Sequence, residues 1–332
     1  VLVGIFAWPS AAAARDLQPV RIGLTRTAAA APLLIAVDAG YFEEQGLAPQ
    51  LTYFTTDAQV AAGVASGHID VGMSALSAAF YRYAAIHGFK IIASRSSDQT
   101  GFPLYALLVS KQAHTSGFSG VAGLVNARIG IDGTGSGAYY ALFDIASRFK
   151  LDSSAIKTVA FKSSAGQLAA LSRGEIDAAL LPFPTALKAL SGGRWLLRLS
   201  DFAQWQEGVA FGTAKLIGAN RELLARFMRA YQRGTADYHL NFLSYDDGGD
   251  FIPGPNYDKY LALVARRMHR SDDFLARTKS YCDRRANLDV ADIENQVQFW
   301  RGQGALDKGV AAADLLDLSF IGAEPSAEGS SD

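Results

Sequence analysis

The sequence predicts an α/β protein of two lobes, each a mostly parallel sheet flanked by helices, with a ligand cleft between them. Three observations carry this: an internal repeat, strand and helix signals that recur with it, and a length of 332 residues, which is more than one ordinary core organises. The repeat aligns Val20–Leu76 with Ala127–Phe183 at an ungapped offset of 107 residues. Arg21-Ile22-Gly23 falls on Arg128-Ile129-Gly130, Thr27 on Thr134, and Phe54 on Phe161. Ala39 and Phe42 match Ala146 and Phe149, and Gly67-x-Ile69-Asp70 matches Gly174-x-Ile176-Asp177.

In the first copy, Val20–Leu24 reads as a short buried strand, and Pro32 suits the first turn of a helix running to about Glu44 and ended by Gly46. Leu51–Phe54 is the second strand. Asp57 caps a helix through Ser66 with Val60 and Val64 on one face, Gly67 stops it, and Ile69–Met73 is the third strand. The second copy repeats the order: strand Arg128–Ile131, helix Gly137–Phe149, strand Thr158–Phe161, helix Ala165–Arg173, and strand Ile176–Leu181. Strands joined through helices pair in parallel, so each copy is a βαβαβ lobe with its ligand-accessible loops at the carboxyl ends of the strands.

Composition narrows the function. Hydrophobic residues make up 49% of the chain and charged ones 19%, which provides a core and argues against global disorder. With 31 basic against 32 acidic residues and no basic run, a nucleic-acid or other polyanion partner is disfavoured. The single cysteine, Cys282, can form no internal disulfide and cannot by itself build a thiolate zinc site; the histidines show no metal-ligand spacing, so neither metal nor cofactor is expected. Val1–Trp8 is an apolar octet followed by the small residues Ala11–Ala14, the pattern of a signal peptide's end. The octet is too short to stay in a bilayer, and no cysteine sits at the cleavage point. Residues 1–14 are therefore expected to be a leader remnant, and the mature chain periplasmic and not lipid-anchored.

Further motifs carry a family resemblance. Ala39-Gly40-Tyr41-Phe42-Glu43-Glu44-Gln45-Gly46-Leu47, Gly67-His68-Ile69-Asp70-Val71-Gly72, Gly174-Glu175-Ile176-Asp177-Ala178-Ala179 and Phe299-Trp300-Arg301-Gly302-Gln303-Gly304-Ala305-Leu306 resemble segments of the periplasmic solute-binding proteins of ABC importers, in the NMT1-like branch that handles nitrate, sulfonates, taurine and thiamine-precursor pyrimidines. The resemblance implies a type II binding-protein fold, a permease and an ATPase as partners, a monomer, and closure about a double crossing. Lobe 1 is then expected to hold residues 20–108 and 209–321, lobe 2 residues 109–208, and residues 322–332 a disordered tail. The segment Tyr245–Tyr257 is longer than the family pattern. Two rivals share the fold: a pyrimidine-precursor synthase, which the lone Cys282 disfavours, and a sensor for a membrane kinase.

Loops at the strand ends supply the candidate ligand-binding residues. In lobe 2, Gly133-Thr134-Gly135-Ser136-Gly137 lies between a strand and a helix, where glycines allow close approach and leading N–H groups favour an anionic oxygen. The same run fits a loose dinucleotide fingerprint, but the second strand ends in Phe161-Lys162 rather than in an acid, and the first lobe has no matching loop. Of Tyr139 and Tyr140, one is expected to face the cleft while the other packs on the lobe, and Tyr139 is the candidate. In lobe 1 the matching loop is Arg26-Thr27-Ala28, with Arg26 able to pair with a carboxylate, sulfonate or phosphate. Ser74 and Ala75, Arg95 and Ser96 after a buried strand Ile91–Ala93, and Pro182 with Phe183, whose ring can stack on a ligand, complete the set. Together with the resemblance they predict a small organic, anionic solute: a sulfonate, an aromatic carboxylate or a pyrimidine-like compound.

Overall fold

The computed structural model describes residues 17–321, so the expected leader and tail lie outside the described residues. From the amino end run β1 (Gln18–Thr25), a 3-10 turn at Ala28–Ala30, α1 (Ala31–Asp38), α2 (Tyr41–Glu44), β2 (Leu47–Phe54), α3 (Asp57–Ala65), β3 (Val71–Ala75), α4 (Ala78–His87) and β4 (Phe89–Asp98). Then come β5 (Tyr105–Val109), α5 (Lys111–Thr115), β6 (Arg128–Ile131), α6 (Gly137–Arg148), β7 (Lys157–Ala160), α7 (Ser164–Ser172), β8 (Ala178–Pro182), α8 (Phe183–Lys188) and β9 (Trp195–Arg198). The chain closes with β10 (Trp205–Thr213), α9 (Ala214–Ala219), α10 (Arg221–Phe242), α11 (Tyr257–Met268), α12 (Asp272–Arg277), α13 (Val290–Gly302) and α14 (Ala312–Leu315). The single helix expected to reach Glu44 breaks after Asp38, because Gly40 takes a left-handed φ of 77° and starts α2 anew.

The strands form two five-stranded sheets, ordered β2-β1-β3-β10-β4 and β7-β6-β8-β5-β9. Their parallel parts repeat in register: Ile22 opposes Leu51 and Val71, and Ile129 opposes Thr158 and Ala178. The matching Arg and Asp residues explain why. Asp70 accepts the backbone N–H of Arg21 at 2.8 Å and its guanidinium at 3.0 and 2.5 Å; Asp177 does the same for Arg128 at 2.8, 3.1 and 2.8 Å. Each fork pins the start of the third strand of its lobe to the start of the first. Gly130 lies under the Ile176 side chain, where a Cβ would meet Cδ1 at 2.6 Å. Gly23 lies likewise under Ile69 and Phe54, so the repeated Arg-Ile-Gly and Ile-Asp pairs form one packing unit used twice.

The fourth strand of each sheet runs antiparallel to its neighbours, and each arrives by a crossing from the other lobe. This moves the expected lobe boundaries. Tyr105–Val109 belongs to the second sheet and Trp205–Gly208 to the first, so the crossings fall at 99–104 and 199–204 rather than after Leu108 and before Val209. An apolar strand reads the same whichever sheet receives it. Asp98, fully buried, ties the crossings together by accepting Leu104 N–H at 2.8 Å and Trp205 Nε1–H at 3.2 Å, while Thr100 Oγ1 donates to the Ser200 carbonyl at 3.0 Å. Burial pushes the Asp98 carboxyl up to about 7.

The C-terminal helices mostly serve lobe 1. Among them α10 packs along α1 and α2, with Tyr41 Oη donating to Asp237 at 2.5 Å and Arg233 pairing with Glu44. The exception is α13, expected on lobe 1 and found between the lobes. Its Phe299 packs on Tyr139, Tyr140 and Phe143 of α6, with ring centroids 6.0, 5.4 and 6.0 Å away. Its Asp292 accepts from Tyr140 Oη at 2.6 Å on the lobe 2 side and from Gln206 N–H at 2.8 Å on the lobe 1 side. One hydrophobic core therefore runs through both lobes on this face. Among the described residues no helix is long and apolar enough to cross a membrane.

Candidate functional site

Opposite that shared core the lobes part around a cavity of about 580 Å³. Its position follows from the topology, because β1, β3 and β8 all end there. Lobe 1 contributes Arg26, Thr27, Ala28 and Ala29 at the entry to α1, Asp57, Ala75, Arg95 and Glu207. Lobe 2 contributes Tyr105, Pro182, Pro184, Thr185 and Lys188. A third wall comes from the segment around α12, with Met268, Arg270, Phe274, Leu275, Thr278 and Ser280, and Pro103 and Leu104 of the first crossing fill the corner.

The floor is an ion cluster. Arg95 Nη2 donates to Glu207 Oε2 at 2.9 Å, and Arg95 Nη1 lies 3.8 Å from Asp57 Oδ1. Ser96 Oγ donates to Glu207 Oε2 at 2.6 Å, and the Ala75 N–H donates to Asp57 Oδ1 at 3.1 Å. Asp57 is available for this because Thr56, not Asp57, caps α3, forming a reciprocal capping box with Gln59. Gly208 lies directly beneath the guanidinium: a Cβ there would sit 2.4 Å from Arg95 Nε. Burial works against the charged form of Arg95, but Glu207 and Asp57 outweigh it and hold the guanidinium above its ordinary value. Tyr105 is pushed well up, first by burial and then by the charges of Glu207, Asp132 and Asp57.

The mouth carries the opposite sign. Arg26 stacks 3.8 Å above the Tyr53 ring and donates to the Arg267 carbonyl at 2.6 Å, while Arg270 lies over Phe274 and Lys188 faces them from lobe 2. The leading N–H groups of the Ala28–Ala30 turn, which lack partners within the helix, open on the same side.

Of the residues expected from sequence, the cavity brings together Arg26, Thr27, Ala28, Ala75, Arg95 and Pro182. Arg95 and Ser96 were expected in a rim loop. They lie instead inside β4, which continues to Asp98, and this burial is what forces Arg95 to pair. Ser74 is fully buried in β3, facing away, and Ser96 acts only through Glu207. Phe183 packs into the lobe 2 core beside Ala186, so the flanking prolines face the cavity in its place.

The glycine loop is placed differently from that expectation. Gly133, Thr134, Gly135, Ser136 and Gly137 lie outside the cavity lining, against lobe 1. The Gly135 carbonyl accepts the Ala78 N–H at 3.0 Å, and a Cβ at Gly137 would meet the Leu76 carbonyl and the Trp205 ring at 2.8 Å. These glycines make room for the other lobe, while Ser136 caps α6 by accepting the Tyr139 N–H. Neither tyrosine faces the cavity: Tyr139 stacks on Phe143 at 4.7 Å, and Tyr140 bonds Asp292. Sequence reading missed Glu207 and Tyr105, which precede no recognisable turn, and Lys188, Arg270 and Thr278, which become neighbours only through the tertiary fold.

Two five-stranded α/β lobes, crossed twice by the chain and parted by a charged cavity, define a two-lobed periplasmic binding-protein fold. The chain belongs to the NMT1/THI5-like family, whose profile matches residues 27–241. Among solved structures it is similar to the alkanesulfonate-binding protein SsuA of Xanthomonas axonopodis pv. citri, bound to MOPS, at 18% identity over 92% of this chain and 100% of that one, with a TM-score of 0.62. It is also similar to the periplasmic aliphatic sulphonate-binding protein SsuA of Escherichia coli, at 15% identity over 90% and 92%, TM-score 0.68. An enzyme shares the fold as well: the desulfurization enzyme DSZB, at 13% identity over 91% and 97%, TM-score 0.59. No curated protein sequence matches the chain.

Proposed function

We propose that the protein is an extracytoplasmic binding protein that captures a small organic acid between its lobes and delivers it, by closure about the double crossing, to the permease and ATPase of an ABC importer. The observation that carries this reading is the interlobe cavity itself, whose volume of about 580 Å³ lies in the range of small-molecule sites and whose mouth gathers Arg26 and Arg270 from one lobe and Lys188 from the other. Cations on both lobes attract one anionic group to the gap, and closure brings them together on it. The fold's sulfonate-binding members support the same class of solute. A hydrolytic or transfer enzyme fits less well. The described cavity lining holds no cysteine or histidine, and burial pushes the Cys282 thiol up to about 12, outside the cavity.

Native mass spectrometry of the protein as purified tests for retained ligand. Titration with sulfonates, aromatic carboxylates and pyrimidine acids, followed by small-angle scattering, tests for closure. Compaction of the protein on saturation is the expected result. Absence of both retained mass and compaction across all three classes would refute the reading.

A further inference from the structure

The segment Tyr245–Tyr257, longer than the family pattern, takes no part in the cavity lining. It opens with a tight hairpin: Tyr245 and Phe251 pair as an antiparallel bridge, and Asp246 Oδ1 closes the turn by accepting the N–H groups of Gly248 and Asp250 at 2.9 and 2.8 Å. The end of the segment is fixed to α10. Asn241, fully buried, accepts the Asn256 N–H at 2.7 Å, and a Cβ on Gly254 would lie 2.6 Å from the Leu240 carbonyl. The Lys279 ammonium lies 3.2 Å from the centre of the Phe251 ring and 5.6 Å from that of Tyr245. Burial lowers it to about 8, with no carboxylate among the described residues to offset this. A cation so desolvated is held by the faces of aromatic rings.

The hairpin bears on the first crossing. Tyr245 packs on Phe102 with ring centroids 5.7 Å apart, and Tyr281 packs on the same ring at 5.9 Å. Tyr281 is itself tied to lobe 1, its carbonyl accepting the Ser97 N–H of β4 at 3.1 Å. Phe102 is therefore seated on lobe 1. Two residues later the chain is held by lobe 2, where the Leu104 carbonyl accepts the Phe183 N–H at 2.8 Å. Only Pro103 lies between, its φ fixed by the ring and Phe102 before it confined to extended conformations. With so little slack, a rotation of lobe 2 lifts Phe102 from its seat unless a few torsions absorb it. Thr278 and Ser280, on either side of Lys279, line the cavity, so a solute there touches the segment that carries Lys279 and Tyr281.

We propose that the hairpin is a clamp on the first crossing, with Tyr245 the positioning residue that keeps Phe102 seated and thereby sets how readily the lobes move apart. This goes beyond the solute-binding reading and rests on the lobe movement within it. A solute that prefers one interlobe geometry has its apparent affinity scaled by the fraction of molecules in that geometry.

Amide hydrogen exchange of the solute-free protein, followed residue by residue by NMR, reads the movement. The Ala78 N–H of lobe 1 donates to the Gly135 carbonyl of lobe 2 at 3.0 Å and is freed when the lobes part. Tyr245→Ala removes a ring that is 43% exposed, so the fold, checked by circular dichroism, is retained; Phe102→Ala removes the seated ring itself. Tyr245→Ala should accelerate exchange at Ala78 and Leu104 by about twofold to tenfold, the range of one aromatic pair, and Phe102→Ala by at least as much, with the amides of β1 and β6 unchanged. The double variant should exchange no faster than Phe102→Ala alone, because both changes remove one contact. Accelerations that multiply would place the action of Tyr245 elsewhere and overturn the proposal. Faster exchange confined to the hairpin and the crossing, with Ala78 unchanged, would also overturn it, as would equal acceleration throughout the chain, which is a loss of global stability. None of these outcomes touches the solute-binding reading, which fails on absent retained mass and absent compaction; that failure leaves the exchange rates free to decide the clamp.

Discussion

Replacing Asp98 with Asn should change how stability depends on pH, by an amount that follows from the crossing geometry. In the folded protein burial raises this carboxyl from 3.8 to about 7. Between roughly pH 4 and pH 7 the native state therefore holds a proton that the unfolded chain has released, and stability falls as pH rises through this window. Taking the two values at face value, the group stabilises the fold about 2.5 kcal/mol more at pH 5 than at pH 8. Asn has no proton to lose, so the variant's stability should be flatter by that amount. It should also lose the bond from Trp205 Nε1, at a cost of about 1 to 2 kcal/mol that is the same at both pH values and cancels in the comparison. Asp292, raised by burial to about 6, contributes equally to both proteins and cancels too. Urea unfolding followed by far-UV circular dichroism at pH 5 and pH 8 gives the double difference. Parallel pH dependences, within about 0.5 kcal/mol, would refute the reasoning that a buried charge at the crossings sets the slope.

Three further outcomes are expected. Gly72→Ala places a methyl group 2.4 Å from the Phe211 ring and 2.8 Å from Val64, and should lower the denaturation midpoint by an amount equivalent to about 1 to 3 kcal/mol; an unchanged midpoint would show that the strand can shift to accommodate it. Asp70→Ala should destabilise more than Asp177→Ala, because the Asp70 side chain is 10% exposed against 29% for its counterpart, with about 1 to 3 kcal/mol expected for the first in thermal unfolding. The Cys282 thiol, buried and raised to about 12, should resist a soluble disulfide reagent at pH 8 in the folded protein and react fully once the chain is unfolded, as read by absorbance.

The parts of the fold legible in the sequence were those encoded locally and twice. Arg21 and Asp70, Gly23 and Ile69, and Gly67 with its left-handed turn recur at one spacing because one packing unit is built twice, so the repeat exposed strands, helices and loop positions together. Sequence did not show which lobe each antiparallel fourth strand joins, since Tyr105–Val109 and Trp205–Thr213 pair with partners far away in the chain. The candidate site was partly legible for the same reason. Arg26, Thr27, Ala28, Ala75 and Pro182 follow from where strands end. Arg95 was recognisable as a cation, but its neutralisation depends on Glu207, 112 residues away. The glycine loop's composition states only that something approaches closely, and the Leu76 carbonyl and Ala78 are what approach it.

The position of α13 bears on how the two lobes communicate. Gln206 donates its N–H to Asp292, while its carbonyl accepts from Gln296 Nε2 and its side-chain oxygen accepts from the Asp289 N–H, so it is the residue by which β10 holds this helix. The next residue, Glu207, forms the cavity floor. A β-bulge at this point leaves Glu207 without a ladder partner on β4. A rotation of lobe 2 that carries Tyr140, and with it Asp292, therefore pulls on the peptide unit bearing Glu207, and a solute that fixes Glu207 resists that pull. A single peptide bond thus separates the residue that holds α13 from the residue that forms the cavity floor.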